Sequence, residues 1–232
     1  MNSLLSVIYK PDIFFKDEIK NANIVAPLAC ILAIFLITGY FSLMVVTPNY
    51  FKSDDATMIQ TLSEKTGQDP DVLRNQILDR LTFSKIIFPI SAVFSIGMHL
   101  LFYTFLIYIL FNLLGYQATI SENFKLVAYA SVIYYIGSLI LMPFTYINNN
   151  PYFTFSPMMF FPNETNIYLS SILKSINFLQ IIFFIYLAIG VTKINQKESY
   201  HTAGFSFFII WFLIFAVKSV SFLIGAKFGF SL

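Results

Sequence analysis

The chain is 232 residues long, 57% hydrophobic and 11% charged, with a formal net charge of +2. Ordinary globular domains are roughly 25% charged, so this composition excludes a typical soluble domain, and so small a net charge gives no footprint for nucleic acid. A single cysteine, Cys30, excludes an intramolecular disulfide and a thiolate metal site.

Residues 1–23 mix Lys10, Lys16 and Lys20 with Asp12, Asp17 and Glu18. Leu4, Leu5 and Ile8 recur at helical spacing, as do Phe15 and Ile19, while the charges fall on other faces. The segment reads as a cytoplasmic amphipathic helix lying in the bilayer interface, with Leu4, Leu5, Ile8 and Phe15 as its membrane-interface residues. Pro11 fits the first turn of a second short helix. The apolar run that follows is too long for a signal-peptide core and lacks a small-x-small cleavage site, so it is expected to stay in the mature protein.

No charged residue occurs between Lys20 and Lys52, between Lys85 and Glu122, or between Lys125 and Glu164. Each gap exceeds the ~20 apolar residues that a helix needs to cross hydrocarbon. Five spans are predicted, at about 24–46, 86–114, 126–144, 169–192 and 205–225. They must be helical, because lipid offers the backbone no hydrogen-bond partner. Runs such as Ile181-Ile182-Phe183-Phe184-Ile185 do not alternate as a membrane barrel strand would. The expectation is an all-α, polytopic, single-domain bundle covering residues 1–232.

Residues 47–85 form a helical outer loop. Ser53 with Asp54 and Asp55 supplies a cap and an acidic first turn, Gly67 ends that helix, and Asp69-Pro70-Asp71 starts another. Leu73, Ile77 and Leu81 then make one apolar stripe. Residues 145–168 hold three prolines, which argue against regular helix, and a sequon at Asn163-Glu164-Thr165. Lys10, Lys16, Lys20, Lys125, Lys193 and Lys197 fall on one side of this topology. The positive-inside rule therefore puts the N-terminus in the cytoplasm.

The search for chemistry returns few groups. No carboxylate lies in the middle of a span, and no metal-binding pair, phosphate loop or nucleophile elbow is present. No cofactor and no metal are expected. The ionisable residues at lipid depth are His99 in the second span and Lys218 in the fifth. Counting along the hairpin of the last two spans, centred near Glu198, puts Asn177 and Gln180 level with Lys218. His99, Lys218, Asn177 and Gln180 are the candidate intramembrane polar site. Small residues such as Gly97, and a G-x-x-x-G at Gly225 and Gly229, suggest close helix approach.

An ordered set of phrases runs through the chain. It comprises Pro11-Asp12-Ile13-Phe14-Phe15, then Pro27 at the head of the first span, then Asp69-Pro70-Asp71. Leu126-Val127-Ala128-Tyr129-Ala130 opens the third span. Tyr186-Leu187-Ala188-Ile189-Gly190 closes the fourth, before a loop from Ser199 to Ala203. The set resembles the Yip (Ypt-interacting protein) domain family, and specifically its prokaryotic branch, over nearly the whole chain. The resemblance implies a five-span membrane fold and no agreed activity. Eukaryotic members carry a longer soluble N-terminal region and an Asp-Leu-Tyr-Gly-Pro phrase. Here Val25-Ala26-Pro27 keeps only the proline, so a Rab-type GTPase is not an expected partner.

The functional expectation is a non-enzymatic integral membrane protein that organises membrane partners or local bilayer shape. Its partners are the lipid bilayer and another membrane protein, and its location is a bacterial plasma membrane. The alternative is a transporter or channel for a small molecule, ion or lipid, using a polar path past His99, Lys218, Asn177, Gln180 and Asn112.

Overall fold

The computed structural model describes residues 3–52, 57–151, 153–161, 166–197 and 199–228, and among them there is no strand. The expected cap at Ser53, Asp54 and Asp55, the sequon at Asn163–Thr165, the loop centre at Glu198, and Gly229 lie outside the described residues.

Helix α1 spans Ser3–Tyr9 and α2 spans Pro11–Ile13, with Lys10 between them at φ −142°. The chain continues through a π-turn at Phe14–Glu18 and a 3-10 turn at Ile19–Asn21. Helix α3 (Val25–Phe41) passes through a second π-turn, Ser42–Val46, into α4 (Thr47–Lys52). Helices α5 (Thr57–Thr66), α6 (Pro70–Leu113) and α7 (Ile120–Ile147) follow. After a 3-10 turn at Pro157–Phe160 come α8 (Ile167–Ser175), α9 (Phe178–Ile194) and α10 (His201–Phe228).

Five stretches are long and apolar enough to cross a membrane: Val25–Lys52, Pro70–Leu113, Ile120–Ile147, Tyr168–Ile194 and His201–Ile224. The chain is an all-α integral membrane protein. Three of these stretches differ from the expected spans. The second outer-loop helix and the second span are one continuous helix, α6, with Pro89 inside it. No glycine or proline lies between Leu81 and Lys85 to stop the ladder, and a lone proline costs one hydrogen bond without ending the helix. The first span runs on to Lys52 because the π-turn absorbs one extra residue without breaking the helix. The fourth stretch is interrupted at Ile176–Asn177, where Ile176 takes ψ 114°. Asn favours non-helical positions because its side chain competes for backbone groups.

Contacts divide the chain into two units. The first comprises Met1–Phe35, Ala92–Ser138 and Phe178–Leu213. Its centre is α7, where Leu126, Val127, Ala128, Tyr129 and Ala130 are all fully buried. Close approach makes this possible: a Cβ on Gly190 would overlap the side chain of Leu126, and one on Gly137 would overlap Leu179.

The second unit comprises Leu36–Ser91, Leu139–Asn177 and Ile214–Leu232. Tyr40 meets Phe88 edge-on at 5.2 Å, and Gly39 lies against the same ring. The outer-loop stripe finds its partner here, since Ile77, Leu78 and Leu81 pack on buried Phe51 and Ile59. Arg74 fixes the arrangement by donating from Nε to the Phe51 carbonyl at 2.9 Å and from Nη1 to Asp71 at 2.8 Å. Gly67 ends α5 at φ 67°, a left-handed conformation that glycine adopts without penalty.

The Gly190–Leu126 approach is directly testable. Gly190→Val should lower stability in detergent by about 1–3 kcal/mol through overpacking. Leu126→Ala in the same chain should recover part of that loss. A thermal-unfolding double-mutant cycle with no coupling between the two sites would refute the contact.

Candidate functional site

Within the first unit, helical spacing gathers polar side chains from three helices. His99 and Tyr103 lie one turn apart on α6, Ser131 and Tyr135 one turn apart on α7, and Gln180 and Phe183 on the first turns of α9. His99 Nε2 is 3.4 Å from Ser131 Oγ. The Tyr103 hydroxyl is hydrogen-bonded to Gln180, which is 8% exposed. Aromatic rings enclose the imidazole, with Tyr103 edge-on at 4.9 Å, Phe183 at 5.7 Å, and Tyr134 and Tyr135 each at 6.3 Å. These groups are hydrogen-bonding side chains set among aromatic faces. They can pair with each other or with a neutral polar ligand. Among the described residues, no group of three His, Cys, Asp or Glu side chains is placed to hold a metal.

The structure therefore joins two of the four expected polar-site residues, His99 and Gln180, through Tyr103. Asn177 and Lys218 belong to the second unit. Asn177 occupies the interruption just before α9, and Lys218 is half-buried on α10.

The N-terminal segment is held to the first unit by its aromatic residues. Phe14, Phe15 and Ile19 are all 0% exposed. The Phe14 ring lies 4.6 Å from that of Tyr129, and α2 with its π-turn packs on α9. Hydrogen bonds line both sides of this contact. The Tyr129 hydroxyl donates to the Asn23 carbonyl at 2.9 Å, and the Tyr186 hydroxyl donates to the Ile8 carbonyl at 3.3 Å. Lys125 Nζ donates to the Lys20 carbonyl at 2.6 Å, and Lys20 pairs with Glu122 at 3.6 Å.

The expected interface face is divided. Leu5 is 47% exposed, Leu4 and Ile8 are half-buried, and Phe15 points into the protein interior. The π-turn explains Phe15. One extra residue in the turn shifts the helical phase, so both Phe14 and Phe15 face inward. Sequence reasoning missed Tyr9 and Ile13, which are 75% and 49% exposed. With Leu5 they recur every four residues, and that spacing was the available signal.

A family model for the Yip1 domain matches residues 5–227, and the chain belongs to that family. Neither the curated proteins nor the solved structures contain a match to it. The family phrases meet in space: Phe14 touches Tyr129, Tyr186 bonds the backbone of α1, and Gly190 receives Leu126.

Two substitutions separate packing from hydrogen bonding in this contact. Phe14→Ala should cost about 3–5 kcal/mol, as for a large buried aromatic. Tyr129→Phe should cost about 0.5–1.5 kcal/mol, the net value of one hydrogen bond. Trypsin cleavage at Lys10 and Lys16 should accelerate strongly in the first variant and slightly in the second. Equal cleavage rates in both would refute the aromatic anchor.

Proposed function

We propose that this Yip1-domain protein is a non-enzymatic membrane organiser that uses its N-terminal segment to engage the bilayer interface or a membrane partner lying there. The carrying observation is the division of that segment into two faces. Phe14, Phe15 and Ile19 anchor it, while Leu5, Tyr9 and Ile13 remain outward among exposed Lys10, Asp12, Lys16 and Asp17. An apolar face bordered by charged residues is the pattern of an interfacial helix. The Yip1 family is not an enzyme family, which agrees with this reading. The expected setting is a bacterial plasma membrane, with the N-terminus in the cytoplasm.

A tryptophan probe tests the reading. In a Trp211→Phe background, Tyr9→Trp should be quenched by lipids carrying a spin label high on the acyl chain. Glutamate at Leu5 and Ile13 should remove that quenching and alter vesicle size in reconstitution. An unquenched Trp at position 9 would sink the interfacial role. For orientation, a cysteine at Asn149 in a Cys30→Ala chain should react with an impermeant maleimide added outside intact cells. Reaction only after permeabilisation would invert the topology.

The polar links His99–Ser131 and Tyr103–Gln180 support a second reading, solute or ion passage. Lys218 and Asn177 remain candidates for such a path. Under that reading, proteoliposomes should show a flux that His99→Phe abolishes without unfolding the protein. Lys218→Met should act likewise if the lysine lines the path, and should only maintain or raise stability if it is structural.

A further inference from the structure

At one end of the first unit, a cavity of about 370 Å³ opens among the α6–α7 turn, the α9–α10 loop and the end of the N-terminal segment. Its polar lining includes Lys20, Gln117, Glu122, Asn195, Gln196 and Lys197. The walls are held in place. The Gln117 N–H donates to Asn195 Oδ1 at 2.7 Å, and Asn195 Nδ2 donates to the Val191 carbonyl, which ties the two loops together. Lys197 rests its ammonium 5.6 Å from the centre of the buried Tyr116 ring. Gln196 takes φ 54°, an uncommon conformation for a residue with a side chain.

The charges do not cancel. Two lysines face one carboxylate, and Glu122 Oε2 is engaged in a capping box, taking the Thr119 N–H at 2.9 Å and the Thr119 hydroxyl at 3.0 Å, which leaves Oε1 toward Lys20. Its contact with Lys20 is long, at 3.6 Å, and the Lys20 side chain is 61% exposed. The cavity thus keeps a net positive charge and several amide groups. It lies at the ends of membrane-crossing helices, and its lining residue Gly115 follows Leu113 and Leu114 in the chain, which are 81% and 43% exposed. Basic pockets between membrane helices with polar rims suit phosphate-bearing headgroups, and the adjoining leucines offer a surface to an acyl chain.

We propose that this cavity binds a phosphate ester of net charge −1, with the lysines on the phosphate and the amides on its polar substituent, and that an anionic glycerophospholipid supplies it. The site does not depend on the interfacial face of α1 and α2, nor on which side of the membrane it occupies.

The test uses the full chain purified in neutral detergent. Phosphatidylglycerol, phosphatidylcholine and soluble glycerophosphoglycerol are titrated separately, with thermal stability as the readout. Phosphatidylglycerol should raise the melting temperature and phosphatidylcholine should not. Lys20→Gln with Lys197→Gln should weaken the phosphatidylglycerol midpoint at least tenfold. Lys20→Arg with Lys197→Arg should restore it, which guards against a folding defect. Lys52→Gln, an exposed lysine of the second unit, should leave it unchanged. A response to lipid alone assigns the site to the lipid, and an equal response to glycerophosphoglycerol assigns it to a soluble ester of the same chemistry. Equal shifts with both lipids, no shift with any compound, or an undiminished response in the glutamine variant overturns the proposal.

Discussion

The Phe14 ring stands 4.6 Å from the Tyr129 ring, and through this contact a segment outside the spans is held to one that crosses the membrane. Its energy exceeds that of its neighbours. Burying an aromatic of this size is worth about 3 kcal/mol or more, judged by what its truncation costs. The exposed Lys20–Glu122 pair is worth about 0–1 kcal/mol, and each flanking hydrogen bond about 1 kcal/mol. The polar contacts therefore refine a position that the aromatics set. With Phe14 and Phe15 inside, Leu5 and Tyr9 are left on the outside, and Lys20 is delivered to the loop cavity. Both proposed surfaces of this unit follow from one packed contact.

What could be read in advance was whatever hydropathy and local capping control. The five charge-poor stretches identified the spans because lipid imposes one rule on every backbone group. Gly67 and Asp69-Pro70-Asp71 marked a helix end and a helix start, and the structure has them as such, with the Asp71 N–H donating to Asp69 Oδ1 at 2.8 Å. The continuity of α6 through Ile86 was illegible because a change from polar to apolar residues there looked like a boundary. Polarity tells a helix what surrounds it and does not end it.

Two irregularities depart from the helical counts used at the candidate sites. Assigning Phe15 to the outer face assumed an unbroken 3.6-residue period through residues 11–19, and the π-turn at Phe14–Glu18 departs from it. Placing Asn177 and Gln180 level with Lys218 assumed one continuous fourth helix, and the structure interrupts that helix at Ile176–Asn177. Neither irregularity has a glycine or proline to announce it. Such departures are set by tertiary packing, which a single sequence does not display.

The polar atoms of the spans sort by where they send their hydrogen bonds. Thr104, Ser138, Ser175, Thr192, Ser206 and Ser221 each return a hydroxyl to the carbonyl four residues earlier, at 2.6–3.3 Å. A hydroxyl used this way is satisfied within its own helix and has little to offer a solute. His99 and Gln180 instead reach across helices. Interhelical hydrogen bonds in lipid average only about 0.6 kcal/mol. Each edge-on aromatic contact adds about 0.5–1.5 kcal/mol beyond burial. Four rings surround the imidazole, so packing outweighs hydrogen bonding in holding it. A transport path would need the reverse balance, with weakly packed polar groups that exchange their partners for water. The balance observed around His99 favours a structural role for this cluster and places the weight of the functional reading on the surfaces the N-terminal segment creates.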